Sequence, residues 1–330
     1  MATGLRRHVA GRGQKLRAIR ALSQPGCCAH THSAAWTRSY SAQGDDPRLR
    51  EIHDEYATIR ECYATPRDPV VLAHGLMGFA EVRVAGGFLP TIQYWRGIAD
   101  ALKANGVKVI TVTVPPCGSI EQRAEELARG IAAAAPGQRV NVVAHSMGGL
   151  DARYMISRLR PPDVNVGSLV TIASPHRGSA FADYVFDEIG VERLPGIYRF
   201  VERLGMDTGA FEQLTRAYMT QEFNPRTPDH PDVHYFSYGA MMDRPSLFSP
   251  FRRSHRIIGE AEGPNDGLVS VESSIWGTYM GTLFGVSHLD LINWTNRLGW
   301  ILRKWMGQGP TFNAIAFYLD ITDRLAQKGF

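Results

Sequence analysis

The stretch Ala144-His145-Ser146-Met147-Gly148-Gly149 constrains this chain more than any other. Before it stands Val140-Asn141-Val142-Val143, an apolar run of strand length, and after it Leu150 to Leu159 reads as a helix. A serine set between small residues at a strand-to-helix turn has a mechanical reason. The turn is tight and holds the serine backbone in a strained conformation. Bulk two positions away on either side would clash with neighbouring strands and with the helix. Ala144 and Gly148 keep those positions small. The same letters also fit an ordinary strand followed by a glycine-started helix, so the rest of the chain has to decide.

Strand-like runs recur at Pro69 to Ala73, Val107 to Val114, Ser168 to Ser174, Val233 to Tyr238 and Thr278 to Phe284. Arg256-Ile257-Ile258 is expected to add short β structure. Helical patterns lie between them. Gln93 to Ala104 carries Tyr94, Trp95, Ile98 and Leu102 near one face, with Gly106 as its stop. Ser119 is placed to cap a helix running to Ala134, with Glu121 and Gln122 in the first turn. Phe211 to Phe223, Leu289 to Trp305 and Phe312 to Leu325 are expected as further helices, and Arg50 to Cys62 as a helical lead-in anchored by Tyr56, Ile59 and Tyr63. This alternation argues an α/β fold: a mostly parallel sheet with helices on both faces and ligands at the carboxyl ends of the strands. Ser146 falls at such an end, and so does His74-Gly75-Leu76-Met77-Gly78, whose glycines let the backbone turn the Leu76 N–H toward a cleft. A plain glycine-rich turn is the competing reading of that motif.

From about 180 to 231 the alternation lapses. Phe181, Tyr184, Val185, Phe186, Ile189 and Leu194 begin a dense apolar series on short helical segments broken by Gly190, Pro195 and Gly205. The segment is expected to form a cap over the site, the alternative being core helices of the main domain. A cap would carry an apolar face suited to acyl chains or a lipid surface.

Serine is a weak nucleophile until a base takes its proton, and the base must be oriented and stabilised as it becomes cationic. Ser146, Asp266 and His288 supply a nucleophile, an acid and a base in that order, each on a turn or loop. Asp266 sits in the turn Asn265-Asp266-Gly267, and His288 follows the last strand. Taken singly, each is an ordinary turn aspartate or helix-start histidine; their order joins them.

The chain resembles the triacylglycerol lipases of the bacterial Pseudomonas/Burkholderia type and, more closely, their fungal mitochondrial relatives. The resemblance runs from about Val70 to Trp305. It rests on His74-Gly75-Leu76-Met77-Gly78, Tyr94-Trp95-Arg96-Gly97-Ile98, Val143 to Leu150, Thr171 to Ser179, Asn265 to Val269 and His288-Leu289-Asp290. It implies an α/β-hydrolase fold with a helical cap, and the hydrolysis of acylglycerol esters to fatty acids through an acyl-enzyme. Ser146 would be the nucleophile, His288 the general base and acid, Asp266 its partner, and the backbone amides of Leu76 and Met147 the oxyanion hole. A lipid acyltransferase or a short-chain carboxylesterase would use the same triad, and a catalytically silent interaction protein is the reading from another class.

The secreted bacterial members usually have a disulfide with one cysteine a few residues after the Asn-Asp-Gly turn, whereas this chain reads Val271-Glu272-Ser273-Ser274 there. They also bind a structural Ca²⁺ near the catalytic histidine. Asp290 matches one of its ligands, with Asp243 as the candidate second. A lone aspartate after such a histidine is more often a helix-start residue, so no metal and no cofactor is assigned. His74 is expected to orient the oxyanion loop, His145 to pack behind the serine, and His176-Arg177 to fix a loop by hydrogen bonds. Arg252, Arg253, His255 and Arg256 form a basic cluster, read as a solvated surface with anionic phospholipid contact as the sharper alternative.

Charge separates the N-terminus from the body. Residues 1–44 hold seven of the 36 Lys and Arg and none of the 32 Asp and Glu, so the rest of the chain is net −3. Nothing in that body suggests a nucleic-acid partner. Arg-rich, acid-free and with interspersed Ser, Thr and Ala, the first 40 residues have the composition of a mitochondrial transit peptide, with a cut expected after Tyr40. A disordered basic tail is the alternative. The expected organisation is a transit peptide over 1–40, a lead-in over 41–68, a hydrolase domain over 69–305 and a helical segment over 306–330. The expected location is the matrix or the inner-membrane surface. Beyond the N-terminal stretch only Cys62 and Cys117 remain, without zinc spacing, as suits an interior reducing compartment. No run of 18 apolar residues predicts a transmembrane helix, so contact with a membrane or lipid droplet would be peripheral.

Overall fold

The computed structural model describes residues 51–76, 81–82, 92–116, 118–187, 209–245, 249–294 and 312–330. The expected transit peptide, Met77-Gly78, the middle of the expected cap and most of the expected 289–305 helix lie outside these residues.

The strands are β1 (Glu51–Ile52), β2 (Val70–Ala73), β3 (Glu81–Val82), β4 (Ile92–Gln93), β5 (Val109–Val112), β6 (Arg139–His145), β7 (Asn165–Ile172), β8 (His234–Met241) and β9 (Thr278–Phe284). Seven of them form one sheet in the order β1-β9-β8-β7-β6-β2-β5, while β3 and β4 pair separately. Every pairing in the large sheet is parallel. Such strands need crossovers, which here include α1 (Ile98–Ala104), α2 (Ile120–Ala134) and α3 (Gly148–Tyr154). The pleat sorts the central side chains onto two faces. Val70 and Leu72 of β2 join a core with Tyr94, Trp95, Ile98, Leu102, Phe317 and Tyr318. Val71 and Ala73 join the opposite core with Leu127, Ile131, Val142, Ala152 and Met155. Burial on both faces explains why β2 is wholly apolar and why β6 carries Val140, Val142, Val143 and Ala144 between its polar residues.

Several elements differ from expectation. The lead-in is not helical: Glu51 and Ile52 add an edge strand, in register with Thr282 and Leu283. Tyr56 and Tyr63 are its anchors, whereas Ile59 is 49% exposed. Helix α1 begins at Ile98 because Gly97 takes a left-handed conformation, φ 72°, that glycine adopts readily. The Ser119 cap forms as expected, with Gln122 completing a capping box. Arg256-Ile257-Ile258 lies in a helix, Arg252–Ala261, where Ser254 and Ile258 are buried at i, i+4 spacing. Phe211 to Phe223 is interrupted, since Thr215 caps a new helical start by accepting from the Tyr218 N–H. After His288 the chain makes only a short 3₁₀ turn, Asp290–Ile292, that ends at left-handed Asn293. The C-terminal helix is Ala314–Gln327, capped by Asn313. Cys62 is disulfide-bonded, which the reading of Cys62 and Cys117 as suited to a reducing compartment did not anticipate. Among the described residues no helix is long and apolar enough to cross a membrane.

Candidate active site

Strand β6 delivers Ser146. Its φ of 56° is a conformation a residue with a Cβ rarely adopts, held by the bond from the Ser146 N–H to the Ile172 carbonyl at 2.9 Å. The Ser174 hydroxyl donates to the Ser146 carbonyl at 2.7 Å, and the Gly149 N–H donates to the same oxygen at 3.1 Å. Gly148 has to be glycine: a Cβ there would stand 2.6 Å from the Ala73 carbonyl oxygen and 2.8 Å from that of His74. The serine turn and the end of β2 are therefore in direct contact.

The acid and the histidine meet. His288 Nδ1 donates to Asp266 Oδ2 at 2.7 Å, and the His288 N–H donates to the Asp266 carbonyl at 3.0 Å. The other carboxylate oxygen accepts from the Leu268 and Val269 N–H groups at 2.9 and 2.8 Å. Asn265 braces the turn, accepting from the Gly267 N–H and donating to the His255 and Gly263 carbonyls. Asp266 and His288 are both buried. The His288 ring lies 4.5 Å, centroid to centroid, from that of His145, the residue before the serine. Among the described residues Ser146 Oγ makes no hydrogen bond, an open contact that is common before substrate closes a site.

Neither the Leu76 nor the Met147 amide donates to another group among the described residues. Met147 is buried among Ile120, Leu150, Met219 and Phe223, with Leu76 and Leu214 packed against the same cluster. Leu214, Met219 and Phe223 of the expected cap thus rest on the serine turn.

Behind the site lie the expected His74 and His176-Arg177, together with Arg123 and Asp151, which the motifs did not mark. The Val114 N–H donates to His74 Nε2 at 3.2 Å, which leaves the ring proton on Nδ1 to bond the Gly75 carbonyl at 2.9 Å. Burial first, and the Arg123 charge second, push His74 down to about 4. Arg123 is fully buried on α2, pairs with Asp151 at 2.8 Å and donates to the His74 and Pro115 carbonyls, both at 2.7 Å. Burial raises Asp151 to about 6 despite that partner. An arginine on the same helix face as Ile120 and Leu127 is the signal that marks Arg123 in the sequence. His176 and Arg177 fix loops as expected: Arg177 donates to the Glu272 and Ile275 carbonyls at 2.8 and 2.9 Å, and His176 stacks on Trp276. Asp290 accepts from the Ser287 N–H and hydroxyl at 3.0 and 2.6 Å, as a turn-capping residue does. Asp243 lies at the same end, beside Gly285. No group of three His, Cys, Asp or Glu suited to a metal occurs among the described residues.

A buried histidine bonded to a carboxylate, a strained serine and backbone amides without an acceptor among the described residues can together activate a hydroxyl and receive a developing oxyanion. Residues 69–221 match a family model described as palmitoyl protein thioesterase. Triacylglycerol lipase 2 of Saccharomyces cerevisiae is 36% identical over 87% of this chain and 99% of its own length. A triacylglycerol lipase of Burkholderia plantarii is 28% identical over 79% of this chain and 88% of its own. Among solved structures, Staphylococcus hyicus lipase superposes with a TM-score of 0.59 at 20% identity, over 80% of this chain and 97% of that one. Lipase 1 of Pelosinus fermentans gives 0.58 at 19% identity, over 79% and 99%. At such identities the solved structures bear on the fold, which is that of the α/β-hydrolases.

Proposed function

The chain belongs to the triacylglycerol lipase family, whose members are carboxylic ester hydrolases, and from that premise we propose that it hydrolyses acylglycerol esters through an acyl-enzyme on Ser146. The observation that carries this reading is the 2.7 Å bond between His288 Nδ1 and buried Asp266, one ring contact away from the serine turn. His288 Nε2 takes the Ser146 proton as Oγ attacks the ester carbonyl. Asp266 holds the ring in the required tautomer and stabilises the imidazolium. The Leu76 and Met147 amides receive the oxyanion; losing one such donor typically costs about 2.7–4 kcal/mol in the transition state. The carbonyl re-forms, the glycerol oxygen leaves with the proton from His288, and water, deprotonated by the same ring, releases the fatty acid.

Replacing Ser146 by Ala, with folding checked by circular dichroism, is expected to lower triolein hydrolysis roughly 10⁴-fold or more. Full hydrolysis by that variant would refute the nucleophile. A second reading, hydrolysis of acyl thioesters, is favoured by the thioesterase model over residues 69–221. Competition between a palmitoyl thioester and the matching oxyester separates the two, and an added alcohol reveals any transfer to an acceptor other than water.

Contact with a lipid surface is part of the same proposal. The Arg252–Ala261 helix exposes Arg252, Arg253 and Arg256 beside Tyr184 of α4 (Ala180–Asp187), where Arg253 lies over the tyrosine ring at 4.9 Å. This face and the apolar residues of α4 support peripheral docking on an anionic membrane. The basic, acid-free residues 1–44 support a mitochondrial address.

A further inference from the structure

Tyr94 links the oxyanion loop to the residue behind the nucleophile. Its hydroxyl accepts from the Gly75 N–H at 3.0 Å and stands 2.7 Å from His145 Nδ1. An oxygen that already receives an N–H turns its own proton elsewhere, so the Tyr94 O–H donates to His145 Nδ1. That fixes the tautomer. His145 carries its proton on Nε2, which is buried and makes no hydrogen bond among the described residues. Burial, and then the neighbouring His288, hold His145 well below the usual histidine range, so it stays neutral. The ring of His145 lies 4.5 Å from that of His288, which must become cationic as it takes the serine proton. A second positive charge at that distance would oppose the step. Tyr94 itself is immobilised, edge-on to Trp95 at 5.1 Å and tilted against His74 at 5.4 Å, while Trp95 meets Tyr318 of the C-terminal helix at 5.6 Å. Burial raises its hydroxyl pKa, so the phenol keeps its proton.

We propose that the Tyr94 hydroxyl is a positioning group for ester hydrolysis: it sets the oxyanion loop through Gly75 and locks His145 as the neutral, Nε2-protonated tautomer against His288. It touches neither substrate nor the reacting atoms. Its effect belongs to the transition state, where the loop receives the oxyanion and His288 becomes charged. Substrate binding in the ground state does not depend on it.

The inference rests on Ser146 as nucleophile, and the test separates the two. Tyr94→Phe, His145→Asn, His145→Leu and the Tyr94→Phe/His145→Leu double variant are made in the full chain. Each is titrated for active sites with a fluorophosphonate and assayed on p-nitrophenyl butyrate. Tyr94→Phe keeps the packing ring. Its kcat per titrated site should fall about ten- to a hundredfold, the scale of a small misplacement of reacting groups, with KM within about twofold. Affinity for a boronic acid that forms a tetrahedral serine adduct should fall by the same factor. In His145→Asn the side-chain oxygen replaces Nδ1 as acceptor, so this variant should retain more activity than His145→Leu. The double variant should be no worse than the poorer single one. Unchanged kcat and boronate affinity in Tyr94→Phe would overturn the proposal, as would fully multiplicative losses in the double variant. Ser146→Ala runs alongside. Hydrolysis surviving there removes the nucleophile assignment, whereas an inert Ser146→Ala beside an unaffected Tyr94→Phe removes only the role of the hydroxyl.

Discussion

At Gly148 the distance between a functional turn and a blocked one is a single methyl group. The residue follows Met147, whose amide points away from any protein acceptor among the described residues, and it packs against the carbonyls that end β2. Gly148→Ala would force a Cβ to 2.6 Å from the Ala73 oxygen, so the serine turn or β2 must shift. Overpacking of this kind costs roughly 1–3 kcal/mol. A lower melting temperature is expected, together with a fall in kcat per titrated site, because Leu76 and Met147 flank the displaced contact. A variant matching the parent in both would show that the turn tolerates the methyl. These positions are legible in sequence because each has a local signature: small residues around Ser146, an Asx-type turn around Asp266, a strand end before His288. Arg123 has none of its own, and the Tyr94-Trp95-Arg96-Gly97-Ile98 motif marks Tyr94 without showing what its hydroxyl meets. Both sit on apolar helical patterns, and only the packing of β2 against α2 and β6 shows that their polar ends converge on the His74–Gly75 backbone.

Among the elements, the buried strands were the most readable. The Thr278–Phe284 limits of β9 and the Ser119 cap of α2 follow directly from alternation and capping. Errors gathered where long-range pairing overrides local preference. Glu51 and Ile52 become a strand only because the edge of β9 is open to them, across more than two hundred intervening residues. Ile257 and Ile258 favour β structure locally, yet the buried row of Ser254 and Ile258 makes that segment a helix. The correction matters for function, since helical spacing puts Arg252 and Arg256 one turn apart on an exposed face, with Glu260 the acid nearest Arg256 at 3.8 Å. If this face meets anionic lipid, each arginine contributes about 1 kcal/mol near the surface. Reversing Arg252 and Arg256 to Glu should then weaken sedimentation with phosphatidylglycerol vesicles by more than about tenfold. Binding to neutral phosphatidylcholine and hydrolysis of a soluble ester should stay unchanged. Equal binding of parent and variant to the anionic vesicles would exclude this helix as the contact.

Over the whole molecule, polar groups are buried at the joints between layers, and their titration couples the fold to pH. Tyr56 and Arg60 of the lead-in bond Asp320 at 3.1 and 2.7 Å, and Arg60 also reaches Asp323 at 2.9 Å, tying the first described segment to the last helix. His74, His145 and His176 stand at the inner joints, and all three are held neutral, His74 by burial and then Arg123, His176 by burial and then Arg153 and Arg177. Their folded pKa values lie below the unfolded 6.5, so the denatured chain takes up protons first as pH falls. The stability they contribute is complete above about 6.5 and is lost toward their folded values, which for His74 is about 4. The His74 shift alone corresponds to about 3 kcal/mol. Asp151 works in the opposite sense. Raised to about 6, it adds stability below its unfolded value of 3.8 that is lost as pH rises through 6, and it offsets one of the three protons. Unfolding between pH 6 and 5 should therefore take up about two protons net, and urea midpoints should drop steeply over that interval. Midpoints that stay level from pH 7 to 5 would mean that these histidines are already accessible to water and protons in the folded chain. The tautomer locks drawn from Val114 to His74 and from Tyr94 to His145 would then not survive in solution.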